Sequence, residues 1–143
     1  MLASMGDIEL TDHDLPAAAE LVELYRSVGW NMYTREPSRL QDALRRSLRV
    51  VCAREDGRLV GLARVVGDGL TVVFLQDILV APSHRHAGLG RALFERVFEP
   101  YAGVRRKVLL TDERSRQSEF YQQMGFRDIG ILEHPLRAFL KSS

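Results

Sequence analysis

The chain has 143 residues, enough for one domain that buries most of its apolar surface without disulfides or metals. Apolar residues make up 45% and charged residues 27%, an ordinary globular balance that excludes a disordered or fibrous chain. Basic residues number 20 and acidic ones 19, so no general field draws in nucleic acid or anionic lipid, and any anion site is local.

Ile8 and Leu10 alternate with polar neighbours as a short strand. Asp12 and Asp14 then offer capping carboxylates, Pro16 suits a first helical turn, and Leu21, Val22, Leu24, Tyr25 and Val28 recur at helical spacing until Gly29. The segment Trp30 to Glu36 has no period but holds the sole tryptophan and a tyrosine, which predicts a loop over a pocket. Ser38 and Gln41 have capping-box spacing for a second helix to about Ser47, with Leu40, Ala43 and Leu44 inward and Arg45, Arg46 and Arg49 solvated.

The period then changes. Val50 to Ala53 reads as a strand, Asp56-Gly57 as a hairpin turn, Leu59 to Val66 as a second strand, and Leu70 to Val80 as a long apolar third. These form an antiparallel meander at the centre of a sheet. Leu89, Leu93, Phe94 and Val97 trace a helix ending near Glu99-Pro100, and Lys107 to Thr111 is a further strand. Gln117 to Met124 is a short helix closed by Gly125, and Phe126 to Leu140 reads as two final strands. Without repeats or linkers, residues 1–143 are expected to be a single domain.

Cys52, the single cysteine, allows no internal disulfide or cysteine-cluster metal site; it reads as an inert buried thiol in a reducing cytoplasm. Met1 to Gly6 lack a signal-peptide pattern, Met5 could serve as the natural start, and no apolar run approaches the ~20 residues a membrane helix needs. The expected protein is soluble and binds no metal.

The chemistry concentrates after Pro82. A strand entering a glycine-containing turn that opens a helix aims free backbone N–H groups at one spot, at the positive end of the helix dipole. Gly88 and Gly90 let the backbone approach an anion, and Arg85, His86 and Arg91 add positive charge. The alternative is an ordinary strand-to-helix turn. A Walker loop is excluded, because Arg91-Ala92 follows the last glycine where Lys-Ser or Lys-Thr is required.

The run Leu79 to Leu93 resembles the signature strand, pyrophosphate loop and helix of the GCN5-related N-acetyltransferase (GNAT) superfamily, with the Arg-x-x-Gly-x-Gly core on Arg85, Gly88 and Gly90. A second block, Phe120 to Phe126, is similar to that family's downstream helix and strand. The resemblance spans the domain and implies the GNAT fold: an α/β (α+β) architecture with a mixed, mostly antiparallel sheet and about four helices. Asp56-Gly57-Arg58-Leu59-Val60-Gly61, with Arg64 and Asp68-Gly69, is similar to compact amine acetyltransferases, including plant serotonin-type enzymes.

By this resemblance acetyl-coenzyme A is the cosubstrate. Backbone groups of Ile78, Leu79 and Val80 would pair with its pantetheine arm, and the N–H groups of His86, Ala87, Gly88, Leu89, Gly90 and Arg91 would hold the pyrophosphate. An amine would then attack the thioester directly. Tyr121 matches the family tyrosine that protonates the departing thiolate; packing against Phe120 is its other reading. Asp77 is a candidate base through water, or else a carboxylate tied to backbone amides; Gln76 stands where glucosamine-phosphate enzymes carry a glutamate. His84 and His86 are alternative bases whose other readings are hydrogen bonding to the cofactor or plain solvent exposure. Trp30, Tyr33 and Gln76 read as acceptor-pocket residues, with simple packing the other reading of the two aromatics. Arg105, Arg106 and Lys107 mark a solvated strand entrance or reach the coenzyme 3′-phosphate. The expected acceptor is a small-molecule primary amine, with a protein acceptor or a non-catalytic acyl-coenzyme A sensor as alternatives. Neither nucleic acid nor membrane is an expected partner, and the resemblance allows a homodimer through the closing strands.

Overall fold

A computed structural model describes residues 7–112 and 117–142, so the reading of Met1 to Gly6 lies outside the described residues. The chain divides into two compact units, 1–109 and 110–143, which are described separately. The first runs β1 (Ile8–Thr11), α1 (Ala18–Ser27), α2 (Pro37–Arg45), β2 (Arg49–Glu55), β3 (Arg58–Gly67), β4 (Val72–Val80), α3 (Leu89–Phe98) and β5 (Arg106–Leu109). Its five-stranded sheet has the order β1-β2-β3-β4-β5. The first three pairings are antiparallel and β4 with β5 is parallel, which is the mixed sheet expected.

Turn chemistry sets the meander. Asp56 at φ 49° and Gly57 at φ 82° both sit in the left-handed region, as a tight hairpin turn between right-twisted strands requires. The Asp68 carboxylate accepts the N–H groups of Leu70, Thr71 and Val72 at 2.8–3.0 Å. Those bonds hold the turn, and β4 therefore begins at Val72 instead of Leu70.

Side chains alternate between sheet faces, and two observations place the helices. A Cβ on Gly61 would meet Leu93 Cδ1 at 2.9 Å, so α3 lies against the face shared by Gly61 and Val80. The Tyr25 hydroxyl donates to Asp77 at 2.8 Å, so α1 covers the other face. Covered on both sides, β3 is buried from Leu59 to Val65. Cys52 is fully buried in this core, which pushes its thiol up to about 12.

Charge pairing overrides the capping expected from the sequence. Asp12 and Asp14 do not cap α1; they accept from Arg49 at 2.7 Å and Arg54 at 2.5 Å on β2. Glu20 instead reaches back to the Ala17 N–H at 2.9 Å. Likewise α2 starts at Pro37 behind Glu36, while Gln41 donates to the Pro16 carbonyl at 3.0 Å. Arg49 also donates to the Arg96 carbonyl at 3.2 Å, so it knits β2 to α3 instead of facing water.

The second unit contains α4 (Gln117–Gln123), ended by Gly125 at φ 92°. The two strands expected over 126–140 do not form among the described residues; a 3₁₀ turn at Ile129–Ile131 stands there. Asp128 accepts the Gly130 N–H at 2.8 Å, and Pro135 has no N–H to offer a ladder. The suggested dimerisation route thereby loses its strands. No helix among the described residues is long and apolar enough to cross a membrane, and no cluster there has the side chains to hold a metal.

Candidate functional site

Val80 leads through a 3₁₀ turn, Pro82–His84, into the segment 85–88 and then α3. Gly88, at φ 81°, precedes the helix with no side-chain cap, so the first N–H groups of α3 have no intrahelical partner. A Cβ at Gly88 would meet nothing within 4 Å, and one at Gly90 only Val80 Cγ2 at 4.0 Å. The space before these amides is open, and its donors suit a phosphate group. Arg85 and His86 are exposed; Arg91 is exposed too, with Glu95 at 2.9 Å drawing on its charge. His84 instead turns inward, its ring bonded to Ser83 and Glu55.

The neighbouring strand edge is open at the same end. Pairing of β4 with β5 stops at Leu75 opposite Leu109, leaving Gln76 to Val80 without a β5 partner. The Ala81 N–H donates to the Val60 carbonyl at 2.8 Å. Antiparallel alternation then directs the backbone groups of Leu79 and Asp77 toward β3, and those of Val80 and Ile78 toward the open edge. Of the residues expected to pair with a pantetheine arm, Ile78 and Val80 offer free groups there and Leu79 does not. Lys107 lies opposite Val73, at the far end of β4, so the 105–107 run marks the strand entrance.

On the α1 face, Asp77 is 2% exposed and its Oδ2 accepts from Tyr25 and Arg64, both at 2.8 Å. Arg64 is 6% exposed and also reaches Ser47 Oγ at 3.4 Å. Asp77 Oδ1 is buried with no hydrogen-bond partner. Burial first, and the Asp77 charge second, raise the Tyr25 phenol far above its ordinary range and also raise that of Tyr33.

The loop expected over a pocket is a turn closed by Thr34, whose hydroxyl donates to the Asn31 carbonyl at 3.0 Å. Trp30, Tyr33 and Tyr25 pack together with ring centroids 5.3–6.1 Å apart. Gln76 Nε2 donates to the Tyr33 hydroxyl at 3.1 Å, so Tyr33 and Gln76 share the rim above Asp77. In the second unit Tyr121 is buried; its hydroxyl reaches Gln117 Oε1 at 3.4 Å, its ring meets Phe120 edge-on at 5.4 Å, and burial raises its phenol.

The sequence reading passed over Tyr25 and Glu55. Tyr25 sat in an apolar stripe; its signal was the hydroxyl, which needs a partner once buried. Glu55 belongs to no motif, and only the fold carries it to His84.

The family model described as "Acetyltransferase (GNAT) domain" matches residues 46–128. A GNAT-family acetyltransferase from Streptococcus pneumoniae TIGR4 superposes with a TM-score of 0.80 at 28% identity, covering 95% of this chain and 99% of that one. Serotonin N-acetyltransferase 2, chloroplastic, from Oryza sativa subsp. japonica is 33% identical across 74% of this chain and 54% of its own length. Histone acetyltransferase TAP1 from Glycine max is 30% identical across 88% of this chain and 55% of its own. The chain thus spans about half the length of these curated relatives. It belongs to the GNAT acetyltransferase family.

Proposed function

We infer from this membership that the chain transfers an acetyl group from acetyl-coenzyme A to the primary amine of a small molecule. The observation that carries the reading is the meeting, at one end of the sheet, of the open amides around Gly88–Gly90 with the free edge of β4 at Ile78 and Val80. Acetyl-coenzyme A, when bound, supplies the activated acetyl thioester. Ile78 and Val80 hold its pantetheine arm as an added strand, and the N–H groups from His86 to Arg91 take its pyrophosphate, with Arg85 adding charge.

Trp30, Tyr33 and Gln76 border the acceptor. Asp77 receives the proton of the amine through a water that enters with the acceptor, at Oδ1, the buried oxygen to which neither Arg64 nor Tyr25 donates. Tyr121, kept protonated by burial, donates to the departing thiolate. Positioning supplies much of the rate.

Thiol release from acetyl-coenzyme A, followed over arylalkylamines, polyamines, amino sugars and lysine peptides, tests the reading. Turnover with a small amine is expected, and Tyr121→Phe is expected to lower kcat while leaving coenzyme A affinity unchanged. The likeness to a histone acetyltransferase favours a second reading, in which lysine peptides alone respond. Coenzyme A binding with no responsive acceptor would return the non-catalytic sensor.

A further inference from the structure

The turn before α3 carries two left-handed residues, His86 at φ 65° and Gly88 at φ 81°. For a residue with a side chain that conformation costs about 1–2 kcal/mol, so something beyond the local chain holds the turn. His84 sits at its base, 8% exposed, with Nδ1 2.7 Å from Ser83 Oγ and Nε2 3.1 Å from Glu55 Oε1. One neutral tautomer satisfies both contacts: the Nε2–H donates to the Glu55 carboxylate, and the Ser83 O–H donates to Nδ1.

Glu55 ends β2, where it is paired with Ile8 on one side and Arg58 on the other. Its backbone is therefore fixed by the sheet. Among the described residues, it is the side chain outside the segment 82–88 that hydrogen-bonds to a side chain within it. A carboxylate near an anion site opposes the anion, so its presence calls for a compensating role.

We propose that Glu55, acting through His84, is a positioning residue for the anion-binding turn, holding the N–H groups from His86 to Gly90 in the converging arrangement a pyrophosphate requires. The inference rests on the reading of this turn as the coenzyme A pyrophosphate site.

Two readouts test it: calorimetry with coenzyme A and with pantetheine, which lacks the pyrophosphate, and nitrogen NMR of the ligand-free His84 ring. Wild type is expected to bind coenzyme A far more tightly than pantetheine. Glu55→Ala should lose about tenfold in coenzyme A affinity, the size expected of one hydrogen bond to a charged group, with pantetheine binding unchanged. Glu55→Gln, whose amide oxygen still accepts the Nε2–H, should restore that affinity. The single-tautomer signature of His84 should vanish only in Glu55→Ala. In acetyl transfer the loss should appear in KM for acetyl-coenzyme A, with kcat within about twofold. Wild-type affinity in Glu55→Ala, equal losses for both ligands, or failure of Glu55→Gln to restore binding would overturn the proposal. If wild type bound pantetheine as tightly as coenzyme A, the pyrophosphate reading itself would fall, while the His84 spectra would still report whether Glu55 orders the ring.

Discussion

The turn between β4 and α3 lies within one short stretch of chain, with Pro82 in its 3₁₀ turn and Gly88 at a left-handed φ of 81°. Among the described residues a single side chain from elsewhere, Glu55, braces it through His84. The cluster around Asp77 is assembled differently. It joins Tyr25 from α1, Ser47 beyond α2, Arg64 from β3 and Asp77 from β4, partners 13 to 52 positions apart in the chain. Loss of Gly88 strains the turn's own backbone, whereas a buried ion pair depends wholly on both members. The contrast teaches that binding and packing at this end of the sheet fail by separate routes.

The largest expected effect breaks the cluster. Arg64→Met would leave the Asp77 carboxylate buried and uncompensated, at a cost of about 3–5 kcal/mol in urea unfolding. A loss below about 1 kcal/mol would mean that the pair is dispensable to the fold.

Gly88→Ala tests the turn. No atom lies within 4 Å of the new Cβ, so the stability loss should be only the left-handed strain, about 1–2 kcal/mol. Coenzyme A affinity should fall about tenfold in calorimetry, because the free amides move with the strained backbone. A stability loss above that of Arg64→Met would erase the contrast.

Tyr25→Phe sharpens the comparison by the smallest step. It removes one buried donor to Asp77, worth about 1 kcal/mol at neutral pH. Its pH dependence has a definite sign. The unfolded phenol ionises near 10.0 and the folded one only at higher pH, so the contribution of Tyr25 is complete below pH 10.0 and is lost as pH rises beyond it. The variant should therefore unfold with a flatter alkaline decline than wild type, and identical slopes would count against a buried Tyr25 hydroxyl.

Legibility followed the same division. The Asp56-Gly57 turn, the meander and Gly88 before α3 were readable because each reflects a local backbone demand. The capping roles given to Asp12 and Asp14 went wrong because Arg49 and Arg54, far away in the chain, offer charged donors that a helix terminus does not match. The strands read over 126–140 went wrong because apolar residues in a short run do not themselves supply a pairing edge.

The amino-acid sequence by itself determined the family, the class of fold and the position of the glycine turn that opens α3, since periodicity and glycine placement act within a few residues. Only the tertiary structure decided that Asp77 is bound by Arg64 and Tyr25, that Ile78 and Val80 own the open edge, and that Glu55 stands behind His84. Those relations are set by strand register and helix packing, which bring together side chains whose order along the chain gives no sign of their meeting.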